Sequence, residues 1–145
     1  MTSDVQKTKV ILEKLYEKNA FVRLLDMNIT EIREGAVEIS MPVSADKHAN
    51  LYSVLHGGAA ASLADTAMGI ACATLGRKVV TVEMNINFIK SAEIGQIVRA
   101  IGSVIHCGQQ TLVVDCDLWD GTDVRIAKAR GTFMTIGWLE DVQHG

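Results

Sequence analysis

Residues 55–69 read LHGGAAASLADTAMG. Two groups in this small, apolar stretch could do chemistry. One is the carboxylate of Asp65, and the other is His56 with the glycine pair Gly57-Gly58 behind it. An ionised carboxylate buried without a partner is very costly, so it pairs or its pKa moves. The plain explanation of Asp65 is local: it bonds to Ser62 or Thr66, or it caps a neighbouring loop. The surroundings support a second explanation. Gly57 and Gly58 fall at the start of a helix, where backbone N–H groups point outward and the dipole adds partial positive charge. Glycine lets a ligand come close to the backbone there. That arrangement suits a carbonyl oxygen that becomes negative during reaction, as in an oxyanion hole. His56 beside it would orient a substrate or shape the loop.

These two parts are badly placed for each other within one chain. Asp65 is about seven residues into the helix, so it sits roughly 10 Å along the axis from the glycine amides. Two such helices packed antiparallel about a two-fold axis would solve this, with Asp65 of one facing the helix start of the other. An isologous dimer carrying two sites across its interface follows. The Ala- and Gly-rich composition around Asp65 fits close approach of helices.

The elements that must position these groups are legible in the pattern. Residues 58–75 are small and apolar nearly all round, the signature of a buried helix, and Gly76 marks its stop. Residues 4–19 form an amphipathic helix, with Val5, Leu12, Leu15 and Tyr16 near one face and Asn19 as its end. The segment 20–27 reads as an apolar bridge. Residues 27–34 and 35–44 alternate as two strands about a Glu34-Gly35 turn, and 44–54 is a polar loop. Residues 79–89 place Val80, Val82, Met84, Ile86 and Phe88 on one face, with Thr81, Glu83, Asn85 and Asn87 on the other. Residues 96–106, 111–119 and 124–136 are three more strands, joined by turns at 108–110 and 120–122. Strand runs with short turns imply an antiparallel sheet with helices on one face, here a long sheet curved around one buried helix.

Composition bounds the rest. The 145 residues suit a single domain over 1–145 with its core at about 20–137, and the apolar share of 48% is ordinary. The net charge of −3 lacks the basic stripe of a nucleic-acid binder. Three cysteines (Cys72, Cys107, Cys116) without C-x-x-C spacing favour free thiols, and four histidines (His48, His56, His106, His144) form no ligand pair, so no metal is expected. The start MTSDVQKTKV is not a signal peptide, and no segment reads as a membrane span. The expectation is a soluble cytoplasmic protein.

The pattern Asn50-x5-His56-Gly57-Gly58-x6-Asp65, followed by the Thr81-Val82-Glu83-Met84-Asn85 strand, resembles the hotdog-fold acyl-CoA thioesterases of the phenylacetic-acid-degradation (PaaI) type. The resemblance covers roughly residues 20–137 and includes the final Gly131-Thr132-Phe133 strand. It implies an α+β hotdog fold of about six antiparallel strands around one long helix, plus an N-terminal helix. It implies dimers with a continuous sheet, paired into homotetramers, and hydrolysis of an acyl-CoA without a further cofactor. Asp65 would serve as general base or nucleophile across the interface, and the Gly58 amide would polarise the carbonyl. Asn50 and His56 would position water or carbonyl, with the Thr81 hydroxyl near the carboxylate. Gly57 would border the substrate, and Lys90, Arg77, Lys78, Lys128 and Arg130 are the basic residues available to CoA phosphates. The turn at Gly108-Gln109-Gln110 and the Lys90-Ser91-Ala92 stretch depart from the family pattern by lacking a basic residue and a proline. A non-catalytic acyl-CoA binding module and a dehydratase or hydratase of acyl thioesters are the rival readings on the same fold.

Overall fold

The computed structural model describes residues 3–139, so residues 1, 2 and 140–145, His144 among them, lie outside it. Along the chain run α1 (Ser3–Glu17), α2 (Ala20–Leu24), β1 (Asn28–Arg33), β2 (Ala36–Pro42), α3 (Gly57–Ala73), β3 (Arg77–Phe88), β4 (Ile97–Cys107), β5 (Thr111–Trp119) and β6 (Arg125–Trp138). The six strands form one sheet in the order β1-β2-β4-β5-β6-β3, and every neighbouring pair is antiparallel. α3 packs against one face of this sheet and touches β2 through β6. This is the expected hotdog architecture.

The core lies between α3 and the sheet. Leu63, Ala67, Met68 and Ile70 of α3 meet Val98, Ala100, Val114, Cys116 and Phe133, all buried. Two glycines permit the close seating of the helix. A Cβ on Gly102 of β4 would stand 3.0 Å from the Ala67 carbonyl oxygen, and one on Gly131 of β6 would stand 2.9 Å from Phe133. The first is tighter than nearly all real Cβ contacts and meets backbone, so β4 favours glycine where the helix crosses it; at Gly131 the Phe133 ring edge and the Met68 methyl would have to shift.

Three details differ from the expectations. The segment read as an apolar bridge contains a short helix, α2. Asn19, read as a stop, is the N-cap of α2, and its side chain accepts from the Phe21 and Val22 amides at 3.0 and 3.1 Å. A stop and a start share one residue here, because an Asn side chain serves either role. The central helix starts one residue earlier than expected and ends at Ala73, with Thr74 as C-cap. The third difference concerns β3. Its register against β6 shifts between Thr81, which pairs with Phe133, and Glu83, which pairs with Thr132. The extra residue, Val82, is a bulge, and a bulge reverses the alternation on either side. Thr81 therefore shares the helix-facing side with Met84 and Ile86, while Val80 and Glu83 point the other way. Simple alternation placed Glu83 on the Thr81 side, and the bulge overturns that.

Candidate functional site

The start of α3 is built by the loop before it. His56 is the N-cap, and its Nδ1 accepts the Gly58 N–H at 2.8 Å. The ring nitrogen that accepts carries no proton, so the neutral imidazole holds its hydrogen on Nε2. The Gly58 amide is thus already engaged. The Ala59 and Ala60 amides both donate to the His56 carbonyl at 3.0 Å. The Gly57 N–H has no acceptor among the described residues and is the free donor of this first turn.

The loop is held by a residue that chemistry-bearing spacing alone does not single out. His48 is 1% exposed. Its Nε2–H donates to the Leu25 carbonyl at 2.7 Å, and Nδ1 accepts from the Ser44 amide at 3.1 Å and pairs with the Ser44 hydroxyl at 2.8 Å. Its own carbonyl accepts the His56 N–H at 2.7 Å. Asn50 shapes the next turn, with Oδ1 accepting the Tyr52 and Val54 amides at 2.8 and 3.3 Å. Its side-chain NH₂ has no partner among the described residues. Asn50, Gly57 and Lys90 line a common cleft of about 300 Å³, closed by Phe88, Ala92 and Ile126.

Asp65 lies elsewhere. It is half-buried on α3, and Oδ1 accepts the Thr81 hydroxyl of β3 at 2.7 Å. Neither Ser62 nor Thr66 holds it; the Ser62 hydroxyl donates to the Gly58 carbonyl at 2.8 Å instead. Asp65 and Thr81 border a second cleft, of about 510 Å³, with Gly69, Phe133, Tyr16 and Val79. Asp65 and the start of α3 therefore border separate clefts of one chain.

The remaining basic residues are otherwise committed. Arg77 is buried, and its Nη1 donates to the Gly108 and Gln109 carbonyls at 2.9 and 3.2 Å and to Thr135 Oγ1 at 3.1 Å. Its guanidinium stacks on Trp138 at 4.5 Å. Arg77 thus ties the β4–β5 turn to the end of the sheet. Lys128 faces away from α3 and pairs with Asp117 at 3.2 Å and Asp115 at 3.8 Å. Arg130 forks onto Asp115 at 2.6 and 3.1 Å. Of the five basic candidates, Lys78 on β3 included, only Lys90 lines the cleft at the helix start. Among the described residues, no three His, Cys, Asp or Glu side chains converge as a metal site would need. No helix there is long and apolar enough to cross a membrane.

Residues 52–127 match the thioesterase superfamily, which is more than half of the chain. The acyl-coenzyme A thioesterase PaaI of Escherichia coli is 32% identical over 123 residues, covering 85% of this chain and 87% of that protein. The solved structure of the E. coli PaaI protein superposes with a TM-score of 0.89 at 31% identity, over 94% of this chain and 99% of that one. Human acyl-coenzyme A thioesterase 13 is 29% identical over 136 residues, covering 91% of this chain and 96% of that protein. A hypothetical thioesterase of Streptococcus pneumoniae, solved with coenzyme A, has a TM-score of 0.74 at 28% identity over 77% of this chain and 90% of that one. With a hotdog sheet, a carboxylate on the central helix and a free amide at that helix's start, the chain belongs to the thioesterase superfamily and is a thioester hydrolase.

Proposed function

We propose that the protein is an acyl-CoA thioesterase whose active site is shared between two copies of the chain. The observation that carries the reading is the Asp65–Thr81 pair. Thr81 donates to Oδ1 at 2.7 Å and so fixes the carboxylate, while Oδ2 stays available to a water. The relatives named for acyl-CoA hydrolysis and the coenzyme A held by the streptococcal protein support the substrate class.

In this mechanism Asp65 is the general base. Oδ2 takes a proton from water, and the water oxygen attacks the thioester carbon. The carbonyl oxygen gains charge in front of the partner copy's helix start. There the free Gly57 N–H and the helix dipole stabilise it. The carbon–sulfur bond then breaks, and the departing thiolate is protonated to free CoA. Gly57 replaces Gly58 in this role because the Gly58 hydrogen is already given to His56. The Asn50 NH₂ and the His56 Nε2–H are the further donors near that amide. Lys90, exposed at the rim of the same cleft, is the cation offered to the CoA phosphates.

A dimer accounts for the separation of the two clefts. β3 ends the sheet with twelve residues and, among the described residues, has no neighbour on its outer side. A long uncovered edge strand is a template for pairing with another chain. Joining two β3 edges would continue the sheet and bring the two α3 helices together in opposite directions. A dimer of dimers extends this by one more symmetric contact.

The test is thiol release from a panel of acyl-CoA esters by wild type and Asp65→Asn. Asn keeps the shape and removes the base, so kcat is expected to fall by about 10²- to 10⁴-fold with the fold retained. Undiminished hydrolysis by the variant would sink the mechanism. Tight binding of esters by the wild type without thiol release would make the protein a binding module instead.

A further inference from the structure

Two large apolar side chains stand side by side, almost fully exposed, on the loop that leads into α3. Leu51 is 94% exposed and Tyr52 is 82% exposed. A lone apolar residue on a surface is ordinary, but an adjacent large pair at a loop tip is a contact surface in need of a partner. The tip is also held stiff. Asn50 Oδ1 accepts the Tyr52 and Val54 amides, the Ser53 amide donates to the Asn50 carbonyl at 3.2 Å, and the Asn50 amide donates to the Val54 carbonyl at 2.8 Å. Ser53 is kept at a φ of 62°, a left-handed conformation that serine adopts where its surroundings impose it. The Leu55 amide donates to the Ala92 carbonyl at 2.8 Å, and the His56 amide to the His48 carbonyl at 2.7 Å. Leu51 and Tyr52 are therefore carried at a fixed position relative to the start of α3. A preorganised tyrosine offers a large contact area at small entropic cost.

A second apolar pair borders the other cleft. Leu15 of α1 and Phe21 of α2 are each half-exposed, and both line the cleft that holds Asp65. Ala73, the last residue of α3, shares that cleft with them, so they stand over the C-terminal half of the helix. Two copies bring the pairs together. With Gly57 of one copy facing Asp65 of the other, the two-fold axis runs beside Ala61, midway between those residues. The antiparallel helices then lay the chain before Gly57 alongside the partner's α3, from Asp65 toward Ala73. That stretch is about 12 Å long. Leu51 and Tyr52, six and five residues before Gly57, arrive at the lip formed by Leu15 and Phe21.

Resting on the two-copy thioesterase reading above, we propose that the Leu51–Tyr52 tip of each copy seats on Leu15 and Phe21 of the other and closes the outer side of the Asp65 cleft. The contact is isologous, so it occurs twice in the dimer. It is continuous with the β3 edge and α3 contacts of the same dimer, and none of its four side chains carries a charge. The N-terminal helices, which lie outside the sheet, thereby become an assembly element. Asn50, a donor near the reacting carbonyl, is the centre of the turn that the partner holds in place.

The experiment crosslinks protein carrying Phe21→Cys and Tyr52→Cys with a short bismaleimide, and follows the assembly by sedimentation. Cys107→Ser is included to remove the exposed native thiol. The expected product is a covalent dimer that neither single variant forms. It stops at the dimer, because the contact closes on itself. Leu15→Cys with Leu51→Cys is the second pair. An intact dimer that neither pair crosslinks would overturn the inference, as would a ladder of larger products. A chain that sediments as a monomer would overturn it together with the two-copy site. Tyr52→Ser, at an exposed position, is expected to raise the dimer dissociation constant about 10-fold or more. Thiol release from octanoyl- and phenylacetyl-CoA then falls at low protein concentration and recovers at high concentration. A dissociation constant equal to that of wild type counts against the contact. Asp65→Asn should crosslink as fully as its parent while losing thiol release, so failure of the mechanism and failure of the contact are read separately.

Discussion

At the scale of single residues, the site depends on who donates to whom. The Thr81 hydroxyl orients Asp65. Hydrogen bonds to charged groups contribute about 1.5–3 kcal/mol. Thr81→Val keeps the shape and removes the donor, so kcat is expected to fall roughly 10- to 100-fold with a smaller change in KM. Steady-state kinetics on the octanoyl or phenylacetyl ester checks this. The thiols give a second residue-scale outcome. Burial pushes the Cys72 and Cys116 thiols up from 9.0 to about 12, while Cys107 is exposed. The neutral thiol is unreactive. At pH 8 the native protein should label one thiol with a disulfide reagent, Cys107, and all three once unfolded. Prompt labelling of Cys72 or Cys116 in the native state would contradict the packing around α3.

At the scale of elements, the same substitution should act in opposite directions at two glycines. Gly102→Ala drives a methyl against the Ala67 carbonyl, a backbone atom that cannot turn away. Overpacking of this kind costs about 1–3 kcal/mol. Gly69→Ala meets only an ordinary contact with Phe133, so helix propensity is expected to raise stability by about 0.5–1 kcal/mol. Denaturant melts of the two variants decide the sign. The 44–56 loop makes a related case. His48 joins the end of β2, the end of α2 and, through its carbonyl, the helix cap. His48→Ala leaves buried groups unpaired, and a loss of about 2–3 kcal/mol is expected from the same melts. The sequence displayed this histidine only as one of four without metal spacing, because its partners Leu25 and Ser44 are fixed by folding.

At the scale of the whole molecule, the decisive question is whether one chain suffices. Asp65→Asn lacks the base, and Gly57→Pro lacks the amide hydrogen while keeping a helix-compatible first residue. Each alone should be nearly inactive. Refolded together, they form mixed dimers in which one of the two sites has both groups intact. About a quarter of wild-type activity should then return. Mixtures no more active than their components would place the whole site in one chain. The outward sheet face adds a pH dependence. The Arg130 guanidinium hydrogen-bonded to Asp115 holds that carboxyl below its usual range, aided by Lys128. A depressed carboxylate stabilises the fold fully above its unfolded pKa of about 4. That contribution is lost as the pH falls through the folded value. Arg130 is largely exposed, so solvent screening keeps the effect small. Asp115→Asn should differ from wild type in melts at pH 7 and 50 mM salt, with the difference gone near pH 2.

The sequence by itself determined the element order apart from the short helix α2, the antiparallel sheet around a buried helix, and the pairing of a glycine-rich helix start with a carboxylate two turns on. These are local and periodic features, set by side-chain spacing of 3.6 and 2 residues. It also carried the argument for two chains, since helix rise alone separates Asp65 from Gly57. Only the tertiary structure decided which amide is free, because the His56 ring must fold back to take the Gly58 hydrogen. Only it decided that Thr81 faces Asp65 while Glu83 turns away, because one bulged residue at Val82 reverses the pleat. It also gave Arg77 and Lys128 protein partners 31 and 11 residues distant or more. Partners far apart in sequence come together through the order of strands in the sheet, and no spacing in the chain announces them.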